Sequence, residues 1–143
     1  MELAHMTGAI VDTAIQIHRN LGPGMLESVY EAVLARQLEA RGLRVERQHP
    51  VGIMYEDLTF EEGFRIDLLV EECVIVEVKS IDRLAPVHTR QLLTYLRFAK
   101  LKVGLLLNFG ALTMKEGLKR VVIDLAPSTS PRLRVNQQNS GAR

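Results

Sequence analysis

The 143 residues include one cysteine and no tryptophan, and they hold no long apolar run. A lone Cys73 cannot close an internal disulfide, and it has no partners at metal-ligand spacing. A disulfide scaffold and a thiolate metal centre are therefore excluded, and Cys73 reads as a small hairpin residue in a reducing compartment. No uninterrupted apolar segment approaches the ~20 residues that cross a bilayer, so no membrane partner is expected. The opening residues, Met1 to Gln16, carry Glu2 early and no basic leader, and read as the start of a helix. An export signal would look different, and the expected location is cytoplasmic. A Gly-rich phosphate loop is missing too, which weakens a reading as a phosphohydrolase of small nucleotides. No internal repeat is present.

Hydrophobic residues make up 47% of the chain and charged residues 24%, the balance of one ordinary globular domain. That domain is expected over residues 1–125. From Ala126 the composition turns to Pro, Ser, Asn and Gln, so 126–143 reads as a disordered tail. The net charge of +1 hides an asymmetry. Met1 to Val78 holds 6 basic and 14 acidic residues, net −8, whereas Lys79 to Arg143 holds 12 basic and 3 acidic, net +9. Such polarity is compatible with a polyanion on the basic half and metal ions on the acidic half.

Periodicity supplies the elements. Ile10, Ala14, Ile17 and Leu21 recur at helical spacing before Gly22-Pro23-Gly24, predicting a helix from about Thr7 to Asn20. A second helix is predicted from near Met25 to Arg41-Gly42, with Val29, Val33 and Leu38 on its apolar side and the glycine as C-cap. Val45, Val51, Ile53 and Tyr55 then follow a strand period, with Pro50 implying an edge or a bulge. Glu56-Asp57 suggests a turn into a short return strand, Leu58 to Phe60. Phe64 to Val70 and Val74 to Ser80 are two further strands, joined too tightly for anything but an antiparallel hairpin. Pro86 opens a third helix to about Lys100, with Leu92, Leu93 and Leu96 inward. Lys102 to Asn108 has the continuous apolar character of a buried strand, parallel to the Glu77 strand through this crossover helix. Lys119 to Leu125 is the last strand. The fold class is α/β, a sandwich around a mixed central sheet, with an N-terminal helical hairpin and one crossover helix.

Asp67 lies in one strand of the hairpin and Glu77-Val78-Lys79 in the other. Two carboxylates brought together repel unless a cation lies between them, and hard oxygen donors suit Mg²⁺ or Mn²⁺ better than Zn²⁺. Strand alternation points Glu77 and Lys79 to one face and Val78 into the core, its carbonyl a possible further ligand. Lys79 can then orient a water or stabilise charge on a phosphoryl oxygen. An isolated Glu-x-Lys is more often a solvated surface pair, but the apolar run around this one marks a central strand, where unpaired charge is costly. Register decides the matter. A plain two-residue turn at Glu71-Glu72 would set Asp67 against Val76 and away from Glu77, so an odd-length loop or a bulge is predicted between Val70 and Val74.

The segment Gly24-Met25-Leu26-Glu27-Ser28-Val29-Tyr30 resembles the signature of the GxxExxY proteins, a group assigned to the PD-(D/E)XK nuclease-like superfamily. The likeness continues through Gly63 to Val70, Val74 to Lys79, Pro86-Val87-His88, Gln91 to Leu96 and Val103 to Gly110, so it covers nearly everything before the tail. It implies a restriction-endonuclease-like fold with Asp67 and Glu77 as metal ligands and Lys79 as catalytic lysine. It further implies Glu27 as an extra helical carboxylate and Gln91 as the glutamine on the helix after the Glu-x-Lys strand. Ile66 stands where the superfamily name has proline. Glu27 has a second explanation, since an acid in a first helical turn meets the helix dipole favourably. Tyr30, three residues on, can bond a carboxylate or pack. His88, Gln91 and Tyr95 share one helical face that can flank the site, and Arg83, Arg90, Arg97, Lys100 and Lys102 can meet a nucleic-acid backbone or merely solubilise. The function expected is Mg²⁺- or Mn²⁺-dependent hydrolysis of DNA or RNA. The alternative is a catalytically silent nuclease fold that binds nucleic acid or assembles. So small a core would dimerise, recruit a partner protein or cut without sequence preference.

Overall fold

The computed structural model describes residues 1–125, and the expected tail at 126–143 lies outside the described residues. Its elements are α1 (Leu3–Leu21), α2 (Glu27–Ala40), β1 (Val45–Tyr55), β2 (Leu58–Val70), β3 (Val74–Lys79), α3 (Pro86–Ala99), β4 (Val103–Asn108), α4 (Met114–Gly117) and β5 (Leu118–Val122). No helix among the described residues is long and apolar enough to cross a membrane.

The five strands form one sheet in the order β1-β2-β3-β4-β5. Its joins are antiparallel except β3 with β4, which run parallel through α3 as the apolar run predicted. β3 is therefore central. Helices cover both faces. α1 and α2 pack Ile10, Ile17, Tyr30 and Leu34 against Leu68, Val76, Val78 and Leu105, while α3 packs Leu92 and Leu96 against Ile66, Ile75 and Leu106. Alternation along β3 divides the two cores, so Val76 and Val78 serve one layer while Ile75 and Glu77 face the other, but along β2 it breaks at Asp67, with Leu68 in the first layer and Ile66 in the second.

Two elements depart from the sequence reading. The return strand and the strand from Phe64 are one continuous β2, because Gly63 leaves the space that the Ile53 side chain fills. A Cβ at Gly63 would lie 2.7 Å from two Ile53 carbons. The buried stripe of α2 is Tyr30, Leu34 and Leu38, and Val29 is exposed. Tyr30 turns the helix this way because its ring stacks on Phe109 at 4.4 Å between centroids, while its hydroxyl donates to the Gly22 carbonyl (2.5 Å) and accepts from the Met25 amide (3.1 Å). A buried tyrosine needs such partners for its polar end. The bulge expected near Pro50 is a register shift between Val51 and Ile53, on edge strand β1.

At the far end of the parallel pair, buried Asn108 ties the loop after β3 to the end of β4. Its Oδ1 accepts both the Ile81 and the Gly110 amides at 3.0 Å. A Cβ on Gly110 would lie 2.2 Å from the Ile81 carbonyl oxygen, so no side chain fits there without moving backbone. Gly110→Ala is expected to cost about 2 kcal/mol of unfolding free energy through this overlap. Gly8→Ala, on the exposed face of α1 with nothing within 4 Å, is expected to gain about 0.5 to 1 kcal/mol. Denaturant melts of the two variants check the contrast, which equal shifts of one sign would contradict.

Candidate active site

The loop between β2 and β3 holds three residues, Glu71, Glu72 and Cys73, closed by the pair Val70 with Val74. Glu71 and Glu72 both take left-handed backbone conformations, with φ of 54° and 55°. That is unfavourable for a residue with a Cβ. Arg44 compensates: its amide donates to Glu71 Oε2 at 2.6 Å, its carbonyl accepts the Glu71 amide at 2.9 Å, and its guanidinium lies 3.5 Å from Glu72. The odd count keeps Leu68 opposite Val76, where the ladder ends, and leaves Asp67 and Glu77 as the next residue on each strand. The predicted odd-length loop is present.

At this step the strands part and the side chains take over the backbone bonds. The Asp67 amide donates to Glu77 Oε2 at 3.0 Å, and the Val78 amide donates to Asp67 Oδ2 at 2.9 Å. Each carboxylate thus lies against the other's strand, a charge-assisted substitute for ladder bonds. Glu77 is 4% exposed. Burial first, and the Asp67 charge second, push its pKa up to about 8, with Glu31 adding to the rise while the Asp67 amide and Lys79 oppose it. Lys79 is half-buried on the same strand face, two residues on. Burial, followed by the Glu77 and Asp67 charges, also raises the pKa of the Tyr95 hydroxyl.

Glu27 heads α2, where the dipole favours it, and its Oε2 also accepts the Ser80 amide at 3.3 Å. Ser80 Oγ in turn donates to the Met25 carbonyl at 2.6 Å, docking the loop between α1 and α2 onto the end of β3 beside Lys79. A cleft of about 540 Å³ opens there, lined by Gly24, Glu27, Ser80, Ile81 and Gly110 among others. Asp67, Glu77 and Val78 are thus joined by hydrogen bonds, Lys79 follows two residues on along β3, and Glu27 reaches the end of that strand only through Ser80, in a cleft that the acid pair does not line. Gln91 is not joined to them, being exposed on α3 without a hydrogen bond to either acid. Tyr30 packs and closes its own loop rather than meeting a carboxylate.

Of the expected nucleic-acid contacts, Tyr95 is stacked on Phe64 at 4.1 Å, so only part of it faces solvent. His88 caps α3: its Nδ1 accepts the Ala85 amide at 2.8 Å, and its own amide donates to the Ala85 carbonyl. Arg83 and Arg90 are exposed and form no ion pair among the described residues. Sequence reasoning missed Glu31, Arg47 and Gln48. Buried Glu31 accepts from Arg47 Nε at 3.1 Å and from Gln48 Nε2 at 2.9 Å, and Gln48 reaches Asp67 Oδ1 at 3.3 Å. The available signal was the spacing of Glu31, four residues after Glu27 and so on the same helix face. Buried His18, whose Nε2 bonds the Ala111 carbonyl at 2.8 Å, carried no comparable signal.

No group of three His, Cys, Asp or Glu side chains close enough to hold a metal exists among the described residues. What exists is a pair of hard oxygen donors, and Glu77 Oε1 makes no hydrogen bond there. Two carboxylates with open coordination suit an ion that keeps waters and takes oxygen ligands from its substrate, as Mg²⁺ does.

The raised Glu77 pKa has a stability consequence. A carboxylate whose folded pKa is about 8 against an ordinary value of 4.5 contributes stability in full below 4.5, and that contribution is lost as pH rises through 8. In EDTA, Glu77→Gln is therefore expected to melt above the wild type at pH 8, by roughly 5 °C, and level with it near pH 5. Thermal melts across that range check the sign. A gap that does not change with pH would contradict the burial of a titrating acid.

No curated protein and no solved structure matches the chain. The family model described as the PD-(D/E)XK nuclease superfamily matches residues 4–121, from α1 into β5. That span contains the mixed sheet, the acid pair on its parted strands and the lysine two residues beyond Glu77. A match over most of the chain, on a fold that sets these groups together, makes it a member of the PD-(D/E)XK nuclease superfamily.

Proposed function

We propose that the protein hydrolyses phosphodiester bonds in DNA or RNA with Mg²⁺ or Mn²⁺. The observation that carries this reading is the meeting of Asp67 and Glu77 on parted strands, where each carboxylate accepts a backbone amide of the other's strand. Burying Glu77 against the half-buried Asp67, with Lys79 offsetting only part of the repulsion, carries a cost that a bound cation would relieve. Asp67, Glu77 and the Val78 carbonyl are the groups that would hold it. Such an ion neutralises phosphoryl charge and lowers the pKa of a bound water.

Lys79 shares the strand face of Glu77, and its ammonium stabilises negative charge on a phosphoryl oxygen. Glu27, held by the Ser80 amide beside Lys79, is the extra carboxylate that the GxxExxY likeness implies. It lines a cleft with Ser80, Ile81 and Gly110, where it can orient water or a further ion. Arg83 and Arg90 remain free to meet phosphates, and Tyr95 and His88 flank the site from α3. Gln91, exposed on the same helix, contributes only by reaching the substrate itself.

Purified protein is expected to cut DNA or RNA with Mg²⁺ or Mn²⁺ and not with EDTA. Asp67→Ala, Glu77→Ala and Lys79→Ala are each expected to lower the rate at least about 100-fold, and Glu27→Gln about 10-fold. Gel assays on single- and double-stranded panels measure this. Cleavage unchanged by all three alanine substitutions would overturn the assignment. Nucleic-acid binding equal with and without metal, with no cleavage of any panel, would favour the silent binding module instead.

A further inference from the structure

We infer that Gln48 is a positioning residue for Asp67, held in place by buried Glu31, an inference that rests on the metal-site reading above. Gln48 sits between the pairs Arg47 with Leu68 and His49 with Ile66, and its own place in the ladder, opposite Asp67, is left out of the pairing. Its backbone is left-handed there, with φ of 51°. A residue with a Cβ adopts that conformation at a disadvantage, and such positions gather where surrounding contacts over-determine the geometry.

The contacts are specific. Gln48 Nε2 donates to Glu31 Oε1 at 2.9 Å and to Asp67 Oδ1 at 3.3 Å, using both amide hydrogens. The reverse orientation would set the amide oxygen against two carboxylates, so the two acids fix which end faces Asp67. Glu31 is 6% exposed and is matched by Arg47 Nε at 3.1 Å, so its charge has a partner independent of Gln48. Asp67 is then gripped from two sides, Oδ1 by Gln48 and Oδ2 by the Val78 amide. Two donors on different strands fix the plane of the carboxylate and leave its outer lone pairs for a ligand. Groups that orient a ligating side chain in this way commonly change metal affinity 10- to 100-fold when removed.

Replacing Gln48 by glycine separates positioning from folding, because glycine accepts a positive φ that the amide side chain does not favour. In EDTA, Gln48→Gly is expected to melt at or above the wild type, while its Mn²⁺ affinity, read by electron paramagnetic resonance without nucleic acid, falls roughly tenfold. Gln48→Leu keeps the bulk and the backbone strain, and is expected to lose the same affinity. Asp67→Ala is the control and is expected to abolish binding. Full loss in Asp67→Ala with wild-type affinity in both Gln48 variants would overturn the positioning role and leave the metal site standing. Wild-type Mn²⁺ binding in Asp67→Ala would overturn the metal site and this role together.

Discussion

The parity of one loop carries the site. Side chains alternate along a strand, so a hairpin loop of three residues and a loop of two give opposite answers to which residue Asp67 faces. Glu71, Glu72 and Cys73 make the count odd and bring Asp67 opposite Glu77. Neither glutamate is a natural choice for a left-handed backbone, and glycine would serve the turn better. Arg44 makes the arrangement tolerable by bonding Glu71 through its backbone and approaching Glu72 with its guanidinium. A one-residue deletion in this loop would leave both strands hydrophobic and buried, yet would set Asp67 against Val76 rather than Glu77.

Once the acids face each other, the surrounding structure must absorb their repulsion. Two unit charges about 4 Å apart interact by roughly 4 kcal/mol at the effective dielectric of a protein surface, and more when buried. Backbone amides of Asp67 and Val78, the Gln48 amide and the nearby Lys79 offset part of that, and the Glu77 pKa is raised by burial first and by the remaining Asp67 repulsion second. A proton relieves the strain in the absence of a cation. The acid pair is therefore a local weakness of the fold, as sites that await a ligand commonly are. The two apolar layers, built on buried β4 and on β3, buried up to Lys79, supply the stability that lets the weakness persist.

Most of the fold was legible because its signals were local. The apolar run from Val103, the helical period after Pro86 and the Glu56-Asp57 turn all reported their elements within a few residues of the true bounds. What failed was set by contacts distant in sequence. The stripe of α2 follows Tyr30 because Phe109 lies across the core from it, and the continuity of β2 depends on Ile53 filling the space at Gly63. The central triad was legible for the same reason as the elements, since Asp67 and Glu77 lie ten residues apart and only the loop between them had to be judged. Gln48 and Glu31 were not, because they meet Asp67 only after β1 has paired with β2 and α2 has packed over both. His88 shows the opposite error, a residue conspicuous on its helix face whose ring is engaged in capping that helix.

The site also depends on where the one parallel pair ends. β3 and β4 stop together at Lys79 and Asn108, which are partners in register, and the Phe109 amide still bonds the Lys79 carbonyl at 2.8 Å. From that edge the two chains diverge and open a crevice, the place where α/β sheets present ligands. Here the divergence is pinned on both sides. Asn108 holds the chain leaving β3 through the Ile81 amide, and Ser80 with Glu27 holds the loop ahead of α2 against the same segment. The lysine backbone is thus held by β4 and followed by Ser80 and Ile81, which are pinned to other elements, while its own ammonium is left unpaired among the described residues. A charge presented by a rigid backbone and uncommitted to any acid can act on an incoming anion without first breaking a salt bridge. This is the arrangement that electrostatic catalysis requires of a cation.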